Sequence, residues 1–494
     1  MHALSSKMKI QSRPIALRLN GSSLQWLLAG GTGLVLGFAT VIIADMPAKI
    51  GMLIFIACLF LFTAIVYGDL RKLLLLVVFF DIPFPLDVVL GIREDVEALG
   101  ALGGWNISVT TIALSILYLQ WFMELLVKNR VSGDTPLLQA CLPLTFYVGI
   151  VFLSSFAAID MQLSFYRCFL LLQIFLLFIY IVGTVRSKDD VLFILTVLLI
   201  GILLQSITIL GLYKIGHTID FAGLKGTVHP GPRIGGTLQA PNAAGSYLSF
   251  LLIPAMSMML LKISKSLRLL AGISIGLGII ALTLTLSRGG MIAFTVSAGL
   301  FFFIAWTRGW ISLKIPLILL GLCTVLLLPW YDVLIARLLG DDAGSAQSRI
   351  PMMKLAMRII ADNPFGGVGV NNYSIVMQQY ITTSLRGMWL YAVHNKYLMV
   401  WAELGTFGIL AFIGFLSSGI RRAWRASKLE NTLFAVPALG IMTSIIGHMV
   451  HMLVDTFNSR PIVQMLWISV ALVTAMLIIE KDSLKHSEND RSNE

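Results

Sequence analysis

Charge is what this 494-residue chain has least of: 12% of its side chains are charged and 57% are hydrophobic. So few charges cannot solvate the surface of a water-soluble domain, which excludes soluble enzymes and soluble binding modules. A strand-period alternation of apolar and polar residues is also lacking, which removes a β-barrel. Cysteine is scarce. Cys58, Cys141, Cys168 and Cys323 lie inside apolar runs without pairing or metal-ligand spacing, so neither a disulfide framework nor a zinc site follows. Sustained repeats, low-complexity tracts and a soluble domain are missing as well. The net charge of +11 would suit nucleic acid, but most basic residues flank apolar runs, where topology and anionic lipid account for them. Membrane lipid is the expected partner, and nucleic acid is not.

What the chain does have is long apolar runs, each able to cross a hydrocarbon core of ~30 Å as a helix of roughly 20 residues. They fall near 24–43, 50–67, 73–90, 105–127, 136–157, 163–184, 190–213, 242–261, 267–286, 290–307, 311–330, 393–417, 432–454 and 461–480. The expected fold is an all-α, polytopic transmembrane bundle of about 14 spans. Residues 1–23 form a cytoplasmic arm, 24–480 one transmembrane domain and 481–494 a cytoplasmic tail. The first run is too long for the apolar core of a signal peptide and reads as an uncleaved span. The third is interrupted by Asp81, Pro83 and Pro85, which argue for a broken or re-entrant helix.

Basic residues recur in every second connection: Arg71/Lys72, Lys128/Arg130, Arg186/Lys188, Lys262/Lys265/Arg268, Arg308/Lys314 and Arg421/Arg422/Arg425/Lys428. That alternation places both termini in the cytoplasm. The opposite face then receives two long connections, 214–241 and 331–392, and the short turn Ser287-Arg288-Gly289-Gly290. Trp105, Trp330 and Trp389 are expected at the outer interface, and Trp26, Trp310 and Trp424 at the inner one.

Chemistry is expected on that outer face. His394, at the start of a span, carries an imidazole able to accept a proton near neutral pH, and is the general-base candidate. The competing reading is a helix-starting histidine bonded to nearby backbone. Gly405 and Gly408 are expected to let another helix approach closely. Glu403, nine residues on, is half a turn round and should face away from His394 toward a structural partner. Arg288 in SRGG needs an anion or a cavity to receive its guanidinium; its two glycines would clear room for a ligand and leave N–H groups for a phosphate. A tight turn with a snorkelling arginine competes. Arg233, ahead of the Pro241-Asn242 helix start, offers a second bidentate guanidinium, with Lys214, Lys225 and His229 as weaker candidates.

In the larger loop, Ile350, Met353, Met357 and Ile360 share one helical face and Lys354 and Arg358 another, a helix for the interface that Asn363-Pro364 stops. GGVGVNNY, 366–373, lacks the strand context of a nucleotide motif and reads as a turn. Asp341-Asp342 reads as a solvated pair rather than a metal site. His448, His451 and Asp455, at i, i+3 and i+7, form a candidate polar cavity wall in preference to a zinc site, with Asn395, Arg167 and Arg460 as further wall candidates.

In order along the chain, R-x-G-G ahead of Pro241-Asn242, SRGG, the amphipathic helix with NPFGGVGVNNY, and His394-Asn395 nine residues before GTFG resemble the O-antigen ligase and polymerase superfamily. The resemblance covers the C-terminal two-thirds of the chain. It implies a C-type membrane glycosyltransferase that takes a glycan from undecaprenyl diphosphate, inverting and independent of metal or other cofactor, at the periplasmic face of a bacterial inner membrane. It also implies Arg233 and Arg288 on the diphosphate, His394 on the acceptor hydroxyl, a glycan or lipid acceptor, and a flippase and a chain-length regulator as partners. The extra spans favour a polymerase over a ligase. A polytopic secondary transporter or lipid-linked oligosaccharide flippase is the alternative, since Asp81, Glu403 and Asp455 could couple ions.

Overall fold

The computed structural model describes residues 69–128, 137–221, 223–231, 233–332, 335–336, 349–382 and 392–492. The expected spans at 24–43 and 50–67, with Trp26, Cys58, Trp389 and Asp341-Asp342, lie outside these residues. The chain divides into two compact units. One consists of 1–74 with 221–223 and is described only at 69–74, 221 and 223; the other is 75–220 with 224–494 and contains every site residue below.

The described chain is almost wholly helical, as the apolar runs require. Its helices are α1 (Leu70–Phe80), α2 (Glu94–Glu97), α3 (Val109–Lys128), α4 (Leu137–Ser154), α5 (Met161–Thr184), α6 (Lys188–Ile215), α7 (Pro241–Met258), α8 (Lys265–Leu284), α9 (Arg288–Thr307), α10 (Lys314–Leu327), α11 (Arg349–Asp362), α12 (Tyr373–Val376), α13 (Lys396–Ala426), α14 (Thr432–His451) and α15 (Arg460–Ser492). Eight of them, α4, α5, α6, α8, α9, α13, α14 and α15, are long and apolar enough to cross a membrane, and shorter apolar stretches occupy α3 and α10. The starts are set by side-chain caps: Asp160 accepts from Leu163, Ser187 from Asp190, Ser264 from Leu267, Ser287 from Gly290 and Asn395 from Leu398. Each cap satisfies a backbone N–H that the first helical turn leaves over.

α7 is the hub. Nearly every residue of it is buried, and it packs chiefly on α14, then on α9 and α8. Small residues allow this closeness: the backbone of Pro254 lies where a Cβ on Gly440 of α14 would come within 3.1 Å of it.

Two small sheets lie among the helices, one of two strands and one of three that also includes the short strand Ile219–Phe221. β1 (Asp87–Leu90) pairs with β2 (Trp105–Ser108), and β3 (Leu224–His229) with β4 (Arg233–Gly236), His229 standing opposite Arg233. The run expected to span 73–90 is helical only to Phe80 and then turns into β1, and 11 helical residues cannot cross ~30 Å. Buried Asp81 explains the stop. Its carboxylate accepts from Thr110 N–H (3.0 Å), Thr110 Oγ1 (2.6 Å) and Leu86 N–H (3.2 Å) and pairs with Arg460 at 2.9 Å.

The expected surface helix in the larger loop exists as α11, but it buries Met352, Leu355, Ala356, Ile359 and Ile360. Ile350, Met353 and Met357 face outward. Of the predicted apolar face, only Ile360 serves the protein core. Gly405 has φ +66° and breaks α13, and a loop fills the notch where a neighbouring helix was expected. Val368 and Gly369 donate to the freed carbonyls of Ala402 (3.0 Å) and Glu403 (2.9 Å), and Thr406 N–H donates to Pro364 O (2.8 Å). The glycine-rich turn and the helical glycine are thus two halves of one joint.

The basic connections that follow α9 and α13 meet at one end of these helices. There Arg308, at the end of α9, donates to Ser427 O (2.5 Å) past the end of α13 and lies 4.8 Å from the Trp424 ring and 5.1 Å from Trp310. His394 and SRGG are at the other end.

Candidate active site

At that other end α9, α13 and α15 begin and α14 stops. His394 stands just ahead of α13. Asn395 caps the helix through Leu398 N–H (3.0 Å) and donates its amide to Leu453 O (3.0 Å), while Lys396 N–H lies 2.9 Å from Met452 O and 3.1 Å from Asp455 O. The segment leaving α14 is therefore stitched to the start of α13, which brings Asp455 Oδ1 to 3.9 Å from His394 Nδ1. That is ion-pair range and longer than a hydrogen bond. The His394 side chain is 36% exposed and that of Asp455 14%, so the imidazole reaches solvent with the carboxylate behind it.

Asp455 is held from several sides. Oδ1 accepts from Thr456 N–H (2.7 Å) and Oδ2 from Asn242 Nδ2 (2.7 Å). Burial alone would raise its pKa; His394, His451 and the Asn242 amide outweigh it, and the carboxyl sits below its ordinary value. Asn242, in the first turn of α7, accepts at Oδ1 from Arg233 Nη2 (2.9 Å) and Ser287 Oγ (3.1 Å). Ser287 is the cap of α9, and Arg288 is that helix's first residue. One polar network thus runs from Arg233 and the SRGG turn through Asn242 and Asp455 to His394.

The backbone around it is unusual. Gln239, Leu286 and Phe457 have positive φ (65°, 50° and 46°), each within three residues of Asn242, Ser287 or Asp455. Such positions cost about 1–3 kcal/mol each and persist only where the surroundings fix them.

The two glycines of SRGG have a different use from the expected one. A Cβ at Gly289 would come within 2.5 Å of the His451 ring, one at Gly290 within 3.1 Å of Gly245 backbone, and the Gly290 N–H goes to the Ser287 cap (3.2 Å). They let α9 start wedged between α7 and α14.

His448 and His451 are buried behind the network. His448 Nδ1 lies 3.1 Å from Ser246 Oγ, and both rings pack on Phe457, with centroids 5.0 and 4.5 Å away. Among the described residues no group of three His, Cys, Asp or Glu side chains is placed to hold a metal ion. Arg167 donates to Asn458 O (2.7 Å), and Lys396 Nζ donates to the Asn458 side chain. With Glu403, Tyr147 and His448 they line a separate cavity of about 40 Å³. That is room for water and not for a sugar. Arg460 leaves the site altogether: Asp87 (2.6 Å) and Asp81 (2.9 Å) occupy its guanidinium, because the third run folds back instead of crossing.

Of the residues tied into the network, Asn242 was visible only as a helix start and Ser287 only as part of a turn. Lys396 stood unremarked beside His394. Their partners lie on other helices, so spacing carried no sign of them.

Residues 273–413 match the family model described as O-antigen ligase. The matched region runs from within α8 into α13 and includes Arg288, the α11 loop, His394 and the Gly405 joint. That stretch is similar to the O-antigen ligase family, and eight of the described helices are long and apolar enough to cross a membrane. No curated protein matches the chain.

Proposed function

We propose that this protein is an inverting, metal-independent glycosyltransferase of C-type architecture that takes glycan units from undecaprenyl diphosphate at the periplasmic face of the bacterial inner membrane. In this reading the basic end of the bundle is cytoplasmic, which supports cytoplasmic termini. The observation that carries the reading is the Arg233–Asn242–Asp455–His394 network with the Arg288 helix start beside it.

The acceptor hydroxyl gives its proton to His394 as its oxygen attacks the anomeric carbon. The bond from that carbon to the diphosphate breaks on the opposite face, and the diphosphate leaves with the electron pair. Arg233 and Arg288 stabilise the departing charge, and Asp455 balances the imidazolium. The proton then returns to solvent by the exposed edge of the ring.

Polymerisation, with the acceptor a glycan on the same lipid carrier, is preferred to ligation onto a lipid, and a flippase and a chain-length regulator would be its partners. A transporter is less well supported. Asp81 is tied to Arg460, Asp455 to Asn242, and Glu403 shares its cavity with Arg167 and Lys396, so each of the three carboxylates that suggested ion coupling has a local partner. The test is purified protein with a synthetic undecaprenyl-diphosphate oligosaccharide, with and without chelator. Longer lipid-linked chains support a polymerase, transfer to an added acceptor a ligase, and no transfer in either format removes the proposal.

A further inference from the structure

Resting on that reading, we infer that Asn242 is a positioning residue that couples occupation of the donor diphosphate site to the placement of the general base. Its carboxamide joins the two halves directly: Oδ1 takes Arg233 (2.9 Å) and Ser287 (3.1 Å), and Nδ2 holds Asp455 (2.7 Å). The chemistry demands an amide. One edge accepts from a guanidinium and a hydroxyl while the other donates to a carboxylate; a carboxylate cannot donate, an apolar group does neither, and a hydroxyl offers one polar atom where the amide offers two. An aspartate at 242 would set two carboxylates against each other, and a leucine of similar shape would make none of the three bonds.

The consequence follows from which groups compete. Arg233 rests on Asn242 and in the proposed function also takes the diphosphate, so a phosphate that takes part of this guanidinium alters what Oδ1 accepts and thereby how firmly Nδ2 holds Asp455. Asp455 also accepts from Thr456 N–H, and its segment bonds through Met452 O and Asp455 O to Lys396 N–H, the second residue after His394. Donor binding is thus felt at the start of α13. The left-handed backbone at Gln239, Leu286 and Phe457 lies on the three segments this amide joins, where a displacement has least slack to absorb it.

The test is amide hydrogen exchange on the full-length protein in lipid nanodiscs, with undecaprenyl diphosphate as the probe and transfer kinetics alongside. In the wild type the lipid should slow exchange both at 233–242 and at 452–458. In Asn242→Leu it should still protect 233–242, while protection of 452–458 falls at least threefold. kcat should drop roughly 10- to 100-fold with the donor KM changed less than threefold, less than the about 10²- to 10⁴-fold of removing the base because the base is displaced and not lost. Asn242→Gln, which keeps both edges, should recover part of the kcat, and a double-mutant cycle of Asn242→Leu with Asp455→Asn should be strongly non-additive. Equal protection of 452–458 in wild type and Asn242→Leu, or additivity in the cycle, would overturn the coupling and leave the function standing. No protection at 233–242 in the wild type would overturn both.

Discussion

Replacing His394 with alanine should leave insertion intact and lower transfer by about 10²- to 10⁴-fold, mostly in kcat, because a general base acts only in the transition state. Steady-state kinetics on purified protein checks this, and full activity in His394→Ala would remove the assignment. Arg288→Lys keeps the charge but not the planar fork, so its loss should exceed that expected from charge alone, read as a fall in kcat/KM at matched expression. The carboxyl of Asp455 has a depressed folded-state pKa, so its contribution to stability is complete above the ordinary carboxylate range and is lost as pH falls through the folded value. The difference in thermal stability between wild type and Asp455→Asn should therefore shrink as pH falls below about 4. At this scale the sequence was partly legible. Histidine and arginine announced themselves because they are expensive near a membrane, whereas Asn242 did not, since an asparagine at a helix start is commonplace and its three partners come from β4, α9 and the segment after α14.

Helices were legible as elements because an apolar run of spanning length has few alternatives in lipid. Their interruptions were less so. Asp81 and two prolines foretold a break in the third run, but the partner that secures it, Arg460, comes from α15, and nothing local tied it to Asp81 and Asp87 rather than to the histidines. Arg460→Met would leave buried Asp81 and half-buried Asp87 without their guanidinium and should cost about 3–5 kcal/mol, seen as a lowered unfolding temperature in detergent. A milder loss, under about 1 kcal/mol, would mean the pair is solvated. The α13 joint makes a second prediction at this scale. Gly405→Ala adds a Cβ at φ +66° against the backbone of Phe365 and Gly366, so the Val368 and Gly369 amides should exchange faster with solvent. Unchanged exchange would show that the loop does not depend on the break. The glycines at 405 and 366–369 looked like separate features in sequence because only folding sets them against each other.

For the molecule as a whole, alternate basic connections suggested one cytoplasmic and one outer end, and the helices do gather Arg308, Trp424 and Lys428 at one end and His394, Arg233 and SRGG at the other. Orientation in the membrane can be read by thiol labelling in cells. A cysteine placed at exposed Phe365 should react with an impermeant maleimide from outside, and one at Lys428 only after permeabilisation; the reverse pattern would invert the topology. The region that matches the O-antigen ligase model contains Arg288 and His394 but stops short of Asp455 and begins after Arg233, so the family match and the network meet only in the folded chain. The account rests most heavily on those dispersed residues sharing one substrate. A structure of the protein with undecaprenyl diphosphate bound measures this directly: the diphosphate should lie between the Arg233 and Arg288 guanidinium groups, with His394 open beside it. Density for the diphosphate at the basic end, near Arg308 and Lys428, or with only one arginine in contact, would contradict it.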